Sequence, residues 1–105
     1  MSVRDHQIEA LRAALETRCE ELTARLVELT THGANPERLG YDRPGLAVQL
    51  TTARQTLADT AQALQRMAYG TYGRCERCQT DIPVERLEIR PHARYCVPCQ
   101  QTAVF

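Results

Sequence analysis

Four cysteines in two pairs carry the clearest chemistry in this chain: Cys75-Glu-Arg-Cys78 and Cys96-Val-Pro-Cys99, with 17 residues between the pairs. A CxxC turn lets two sulfurs face one ion, and two such turns complete a tetrahedron. The spacing fits the pattern of a four-thiolate zinc site. Thiolates are soft donors, so Zn2+ is expected rather than magnesium or calcium, with iron a second candidate. The competing uses of paired cysteines are disulfides and a redox CxxC. Disulfides need an oxidising compartment, and a redox pair usually accompanies a βαβ pattern. The chain shows neither context. Cys75, Cys78, Cys96 and Cys99 are therefore the expected ligands of one zinc ion. His92 is the only histidine near them, and with four thiols available it reads as a surface residue. The fifth cysteine, Cys19, falls in an apolar stripe and reads as a small packing residue.

A zinc held by four thiolates has no open position for water, which is the mark of a structural site. No nucleophile–base pairing and no glycine-rich phosphate loop accompanies it. The chain is read as a non-enzyme.

The elements that must position the four thiols are mostly helical. From residue 3 to about 31, Ile8, Leu11, Leu15, Cys19, Leu22, Leu26 and Leu29 recur at steps of three and four, which predicts one long helix. The opposite face carries Arg12, Glu16, Glu20, Glu21 and Glu28. Residues 32–45 break the pattern with three glycines and two prolines, which marks a turn region. Asn35-Pro36 suits the start of one short helical turn, and Asp42 followed by Pro44 reads as the start of the next helix. A second helix is predicted over about 45–69, with Leu46, Leu50, Ala53, Leu57, Ala61, Leu64 and Met67 as its stripe and Gly70 as its stop. Both stripes are narrow, like coiled-coil seams. The expected fold is mainly α: a long antiparallel two-helix coiled-coil hairpin, residues 1–69 with its tip at about 32–45, followed by a small four-cysteine zinc-finger lobe, residues 70–105. Helices of 25 to 29 residues extend about 37 to 43 Å, a rod that buries little. Within the lobe, Ile82-Pro-Val84 is expected to be extended. Residues 85–90 are expected to form a strand or turn. The segment after Cys99 is expected to continue a turn. So small a lobe depends on its metal for stability.

Composition narrows the functions open to such a chain. Thirteen acidic residues balance thirteen basic ones, and every basic residue is arginine. Four thiolates around Zn2+ leave a surplus of two negative charges. This balance argues against unaided binding to DNA or RNA, which needs a surplus of cations. The arginines of the lobe (Arg74, Arg77, Arg86, Arg90 and Arg94) are interspersed with Glu76, Asp81, Glu85 and Glu88, which reads as a mixed solvated surface or a partner-facing patch. No apolar run is long enough to span a membrane. Reduced cysteines and a polar N-terminus lead to the expectation of a cytoplasmic protein.

The run Gly70-Thr-Tyr-Gly-Arg-Cys-Glu-Arg-Cys78, followed by Ile82, Arg86-Leu87, Pro91, Ala93, Cys96 and Cys99, resembles the zinc-finger signature of the DksA/TraR family. The upstream hairpin is similar to that family's layout too. The resemblance implies a bacterial or phage-borne transcription regulator that binds RNA polymerase rather than DNA. Its hairpin tip would enter the secondary channel near the catalytic magnesium and alter the stability of promoter complexes. One member acts with the alarmone ppGpp, so ppGpp is a further candidate at the complex. Two departures stand out. The family usually has glycine after the first knuckle, where this chain has Gln79. The best-known members carry Asp-x-x-Asp-x-Ala at the tip, which is absent here. The nearest acids are Glu37 and Asp42, the candidate contacts to the polymerase active centre. Glu37 also reads as a solvated turn residue and Asp42 as a helix cap. The alternative function is a zinc-stapled coiled-coil adaptor without direct effect on transcription. A weaker third is a nucleic-acid-binding zinc ribbon.

Overall fold

Helix signals in the sequence place both long helices to within two residues. The computed structural model describes residues 2–31 and 40–102. Helix α1 runs Val3–Thr31 and helix α2 runs Arg43–Tyr69. A reciprocal cap starts α1: Asp5 donates its N–H to Ser2 Oγ at 3.1 Å, and the Ser2 N–H donates to Asp5 Oδ2 at 3.1 Å. This is a capping box with aspartate in the third position. Hydrogen bonds from Ser2 hold the Asp5 carboxyl below its ordinary pKa. Asp42 caps α2 by accepting the Gly45 N–H at 2.6 Å, and Pro44 occupies the first turn, where its missing N–H costs nothing. Gly70 ends α2 in the left-handed region at φ 75°, its N–H turned back to the carbonyls of Arg66 and Met67.

The two helices lie antiparallel. Leu11 and Leu15 of α1 meet Ala63 and Met67 of α2, while Leu29 meets Leu46 and Ala53. The buried residues of α2 include Leu46, Ala53, Thr60 and Met67, one every seven residues. Along α1, Leu15, Leu22 and Leu29 keep the same interval. A strict seven-residue repeat is the signature of a coiled-coil seam. It also corrects one expected position. Ala61 is exposed, and Thr60 takes its place in the seam because only Thr60 lies on the seven-residue line from Ala53 to Met67. The Thr60 hydroxyl donates to the Thr56 carbonyl at 2.7 Å, which satisfies a polar group in an apolar setting.

Beyond Gly70 the chain forms two short helices, α3 (Val84–Ile89) and α4 (Val97–Thr102). The first corrects the sequence reading; the second starts within the second knuckle, where the turn was expected to run on, and is one short helix long. The segment 85–90 is helical because Val84 and Leu87, three apart, both turn inward, while Ile89 stays 82% exposed. Pro83 precedes it, and the Pro83 carbonyl accepts from Arg86 and Leu87. The only extended pairing among the described residues is an isolated antiparallel bridge between Arg74 and Asp81.

The lower end of the hairpin is not a bare rod. Leu11, Leu15, Ala63 and Met67 share one core with Tyr72, Cys75, Ile82, Leu87 and Ala93. Packing thus runs continuously from the helices into the small C-terminal region. The longest dimension of the molecule is 48 Å. Among the described residues, no helix is long and apolar enough to cross a membrane.

Candidate metal centre

Each cysteine pair rests on its own backbone device. The first lies on a tight hairpin. Ile82 donates its N–H to the Gly73 carbonyl at 2.7 Å, Cys75 donates to Thr80 at 2.8 Å, and Gln79 donates back to Cys75 at 2.9 Å. Gly73 takes φ 80° to make the turn. The second pair brackets the start of α4, where the Cys96 carbonyl accepts the Gln100 N–H at 2.9 Å. Residues flanking the cysteines join the two devices. Glu76 donates its N–H to the Arg94 carbonyl at 2.9 Å. The Arg94 guanidinium grips Glu76 Oε2 through Nε at 3.0 Å and Nη2 at 2.7 Å. That contact holds the Glu76 carboxyl below the usual range and raises Arg94.

The Sγ atoms of Cys75, Cys78, Cys96 and Cys99 all lie within 4.8 Å of one another. Cys78 and Cys96 are 3.7 Å apart. A tetrahedral zinc with Zn–S bonds of about 2.3 Å requires sulfurs separated by about 3.8 Å. The donor set and its spacing fit one structural zinc ion. Cys75 is fully buried, Cys78 is exposed and the other two lie between.

The thiols are electrostatically unequal. Burial pushes Cys75 up, but the backbone N–H groups of Cys78, Cys96 and Arg77 outweigh it and bring its pKa down to about 6. The Thr80 hydroxyl and N–H lower Cys78. Cys99 is pushed up to about 12, first by its contact with Cys96, then by burial and the neighbouring thiols. Four sulfurs this close resist ionising together. A bound divalent cation supplies the charge that makes all four thiolates compatible.

Residues 70–104 match the family model described as the prokaryotic dksA/traR C4-type zinc finger. The finger of this chain, residues 70–104, is of the dksA/traR C4 type. It is 38% identical over 85 residues to General stress protein 16O of Bacillus subtilis, covering 77% of this chain and 52% of that protein. An uncharacterized Aquifex aeolicus protein is 46% identical over 46 residues, covering 44% of this chain and 32% of that one. The chain therefore spans about half, or less, of the length of these two relatives. The solved structure of transcription factor DksA2 from Pseudomonas aeruginosa superposes with a TM-score of 0.78 at 26% identity, over 91% of this chain and 81% of that one. The whole fold is DksA-like, not the finger alone.

The family's usual glycine after the first knuckle now has a physical account. Gln79 sits at φ 65°, the one left-handed residue other than glycine among those described. That conformation costs a side-chain-bearing residue about 1 kcal/mol or more. The Gln79 amide recovers part of this by donating to the Glu76 carbonyl at 3.4 Å.

The remaining sequence-predicted residues separate. His92 stands outside the cysteine cluster, and its carbonyl accepts from Arg66 Nη2 at 3.3 Å. Cys19 is half-buried on α1 and is not one of the four clustered thiols. Asp42 is far from the metal centre, engaged as the α2 cap. Glu37 and the Asn35-Pro36 turn lie outside the described residues. Two features escaped the sequence reading. The Ser2/Asp5 cap had a visible signal in its spacing. Arg4 had none: its guanidinium donates to the Ile82 and Gly73 carbonyls, both at 2.9 Å, from 78 and 69 residues away.

Proposed function

We propose that this DksA/TraR-type chain is a transcription regulator, not an enzyme, that binds RNA polymerase through its secondary channel and modulates promoter complexes. One observation carries the reading: a long hairpin mounted on a four-thiol finger superposes on a transcription factor over 91% of the chain. Cys75, Cys78, Cys96 and Cys99 each give one thiolate to a structural zinc. The metal fixes the finger, the finger and hairpin sides supply binding, and the tip reaches inward. Helix rise puts the tip about 40 Å from the finger. The reading places the protein in the cytoplasm with its partner, with ppGpp a candidate co-effector at the complex and no direct binding to DNA.

A specific observation keeps the adaptor reading beside it. The tip lacks the Asp-x-x-Asp-x-Ala motif, and the Asp42 carboxylate already serves as a cap. A chain that occupies polymerase without tip chemistry fits both facts. The lifetime of promoter complexes on purified polymerase separates the two. Wild type, Asp42→Asn and Glu37→Gln are compared, because Asn preserves the cap and removes the charge. A regulator acting through tip acids changes the lifetime as wild type and loses that effect in one variant while still binding. An adaptor binds in all three forms and leaves the lifetime unchanged.

A further inference from the structure

We propose that Arg4 is a positioning residue that links metal occupancy of the first knuckle to the docking of α1 on the finger. Its two acceptors belong to the two arms of one device. Gly73 lies just before Cys75, and Ile82 lies just after the loop that contains Cys78. The arms are held together by the Ile82 N–H, which donates to the same Gly73 carbonyl that Arg4 holds. Only a closed knuckle presents both carbonyls side by side to a planar, rigid fork of donors. A charged donor on a partly buried carbonyl makes a stronger hydrogen bond than a neutral one.

The seat is shaped for the guanidinium. A Cβ on Gly73 would lie 2.9 Å from Arg4 Nη2, with Leu87 Cδ1 at 3.4 Å and Ile8 Cδ1 at 3.8 Å closing the other sides. Gly73 thus serves the turn and leaves room for Arg4 at once. Arg4 stands one turn before Ile8, which packs against the shared core. The first turns of α1 are therefore fastened to the knuckle by one polar clamp and one apolar contact.

Linkage makes the consequence reciprocal. If the closed knuckle favours the Arg4 clamp, the clamp favours the closed knuckle, and so favours the metal that closes it. Zinc removal should free the start of α1, and loss of the Arg4 fork should weaken zinc by a comparable factor. The coupling belongs to the free protein, so its test stands apart from any polymerase experiment.

The full chain is measured as wild type, Arg4→Met and Arg4→Lys, with Arg12→Met as a control for loss of an arginine that pairs with its neighbour Glu9. Zinc affinity is read by competition with a chromophoric chelator, and amide exchange is followed at residues 6–10. Arg4→Met is expected to bind zinc about tenfold more weakly, the size of a lost charged hydrogen-bond pair. Arg4→Lys should fall between it and wild type. In wild type, stripping zinc should speed exchange at residues 6–10, while in Arg4→Met those amides should exchange fast with zinc bound. Should Arg4→Met fail to fold, Arg4→Lys carries the same comparison. Wild-type zinc affinity in the Arg4 variants, or exchange at residues 6–10 that ignores zinc removal, overturns the proposal. So does an equal loss of affinity in Arg12→Met.

Discussion

The two ends of the hairpin are held by different means. At the base, helices, knuckle and α3 share one core built on Leu15, Ala63, Ile82 and Leu87, and two guanidinium groups, Arg4 and Arg66, fasten helix to finger backbone. Toward the tip, the core thins to Leu29, Leu46 and Ala53, with Leu26, Tyr41 and Leu50 half-covering it. Among the described residues, a polar latch sits there: Arg25 Nη2 donates to Tyr41 Oη at 2.6 Å and the guanidinium lies 5.7 Å from the ring centre. Its partner Glu28, at 3.4 Å, is a surface pair that contributes little. Among the described residues, the base is therefore held by more contacts than the stretch toward the tip.

Removing a thiolate should break the base most deeply. Cys75→Ser, at the fully buried ligand position, is expected to lose zinc and the fixed structure of the finger, since metal binding in so small a unit is folding energy. The seam of α1 and α2 should keep most of its helicity. Elemental analysis and circular dichroism read the two outcomes. Next come two leucines, both wholly buried. Leu87→Ala should cost about 2 to 5 kcal/mol and lower zinc affinity, because the cavity opens in the core that carries Cys75. Leu29→Ala should fall at the low end of that range and leave zinc affinity alone. Equal effects on zinc would erase the contrast between the two ends.

A pH titration sharpens the same contrast. Tyr72 donates to the Pro91 carbonyl at 2.7 Å, and burial raises its pKa from 10.0 to about 12. A raised folded pKa means stability fully present below pH 10 and lost as pH rises through about 12. Denaturant unfolding across that window should show the loss, and Tyr72→Phe should abolish it at a cost of about 1 kcal/mol for the orphaned carbonyl. The smallest effect expected is a gain. Gln79→Gly relieves the left-handed backbone and should raise stability by up to about 1 kcal/mol with the zinc site unchanged.

The sequence displayed the hairpin and the ligand set because both are written in local intervals. Steps of three and four marked the seams, and CxxC twice marked the centre. What it hid was set by distant contacts. Residues 85–90 carry Val84, Leu87 and Ile89 beside Pro83, a composition that suits strand or turn. Only the burial of Val84, and of Leu87 in the core shared with the hairpin base, decides for helix. Thr60 is no apolar signal, so the sequence stripe runs through Ala61, and the seven-residue line places Thr60 inside instead. The clamp at Arg4 depends on carbonyls of Gly73 and Ile82, and every residue has a carbonyl, so no residue type announces it. The shared core had a similar cause, since Tyr72 and Ile82 gave no sign of which surface they would meet.

The central claim is that the metal-fixed base holds this hairpin for use on RNA polymerase. Binding of the zinc-loaded chain to purified polymerase core tests it most directly, with the Cys75→Ser variant alongside. The account predicts saturable one-to-one binding by the loaded chain and at least tenfold weaker binding once the finger is unmade. A loaded, folded chain that shows no saturable binding to core polymerase would contradict it.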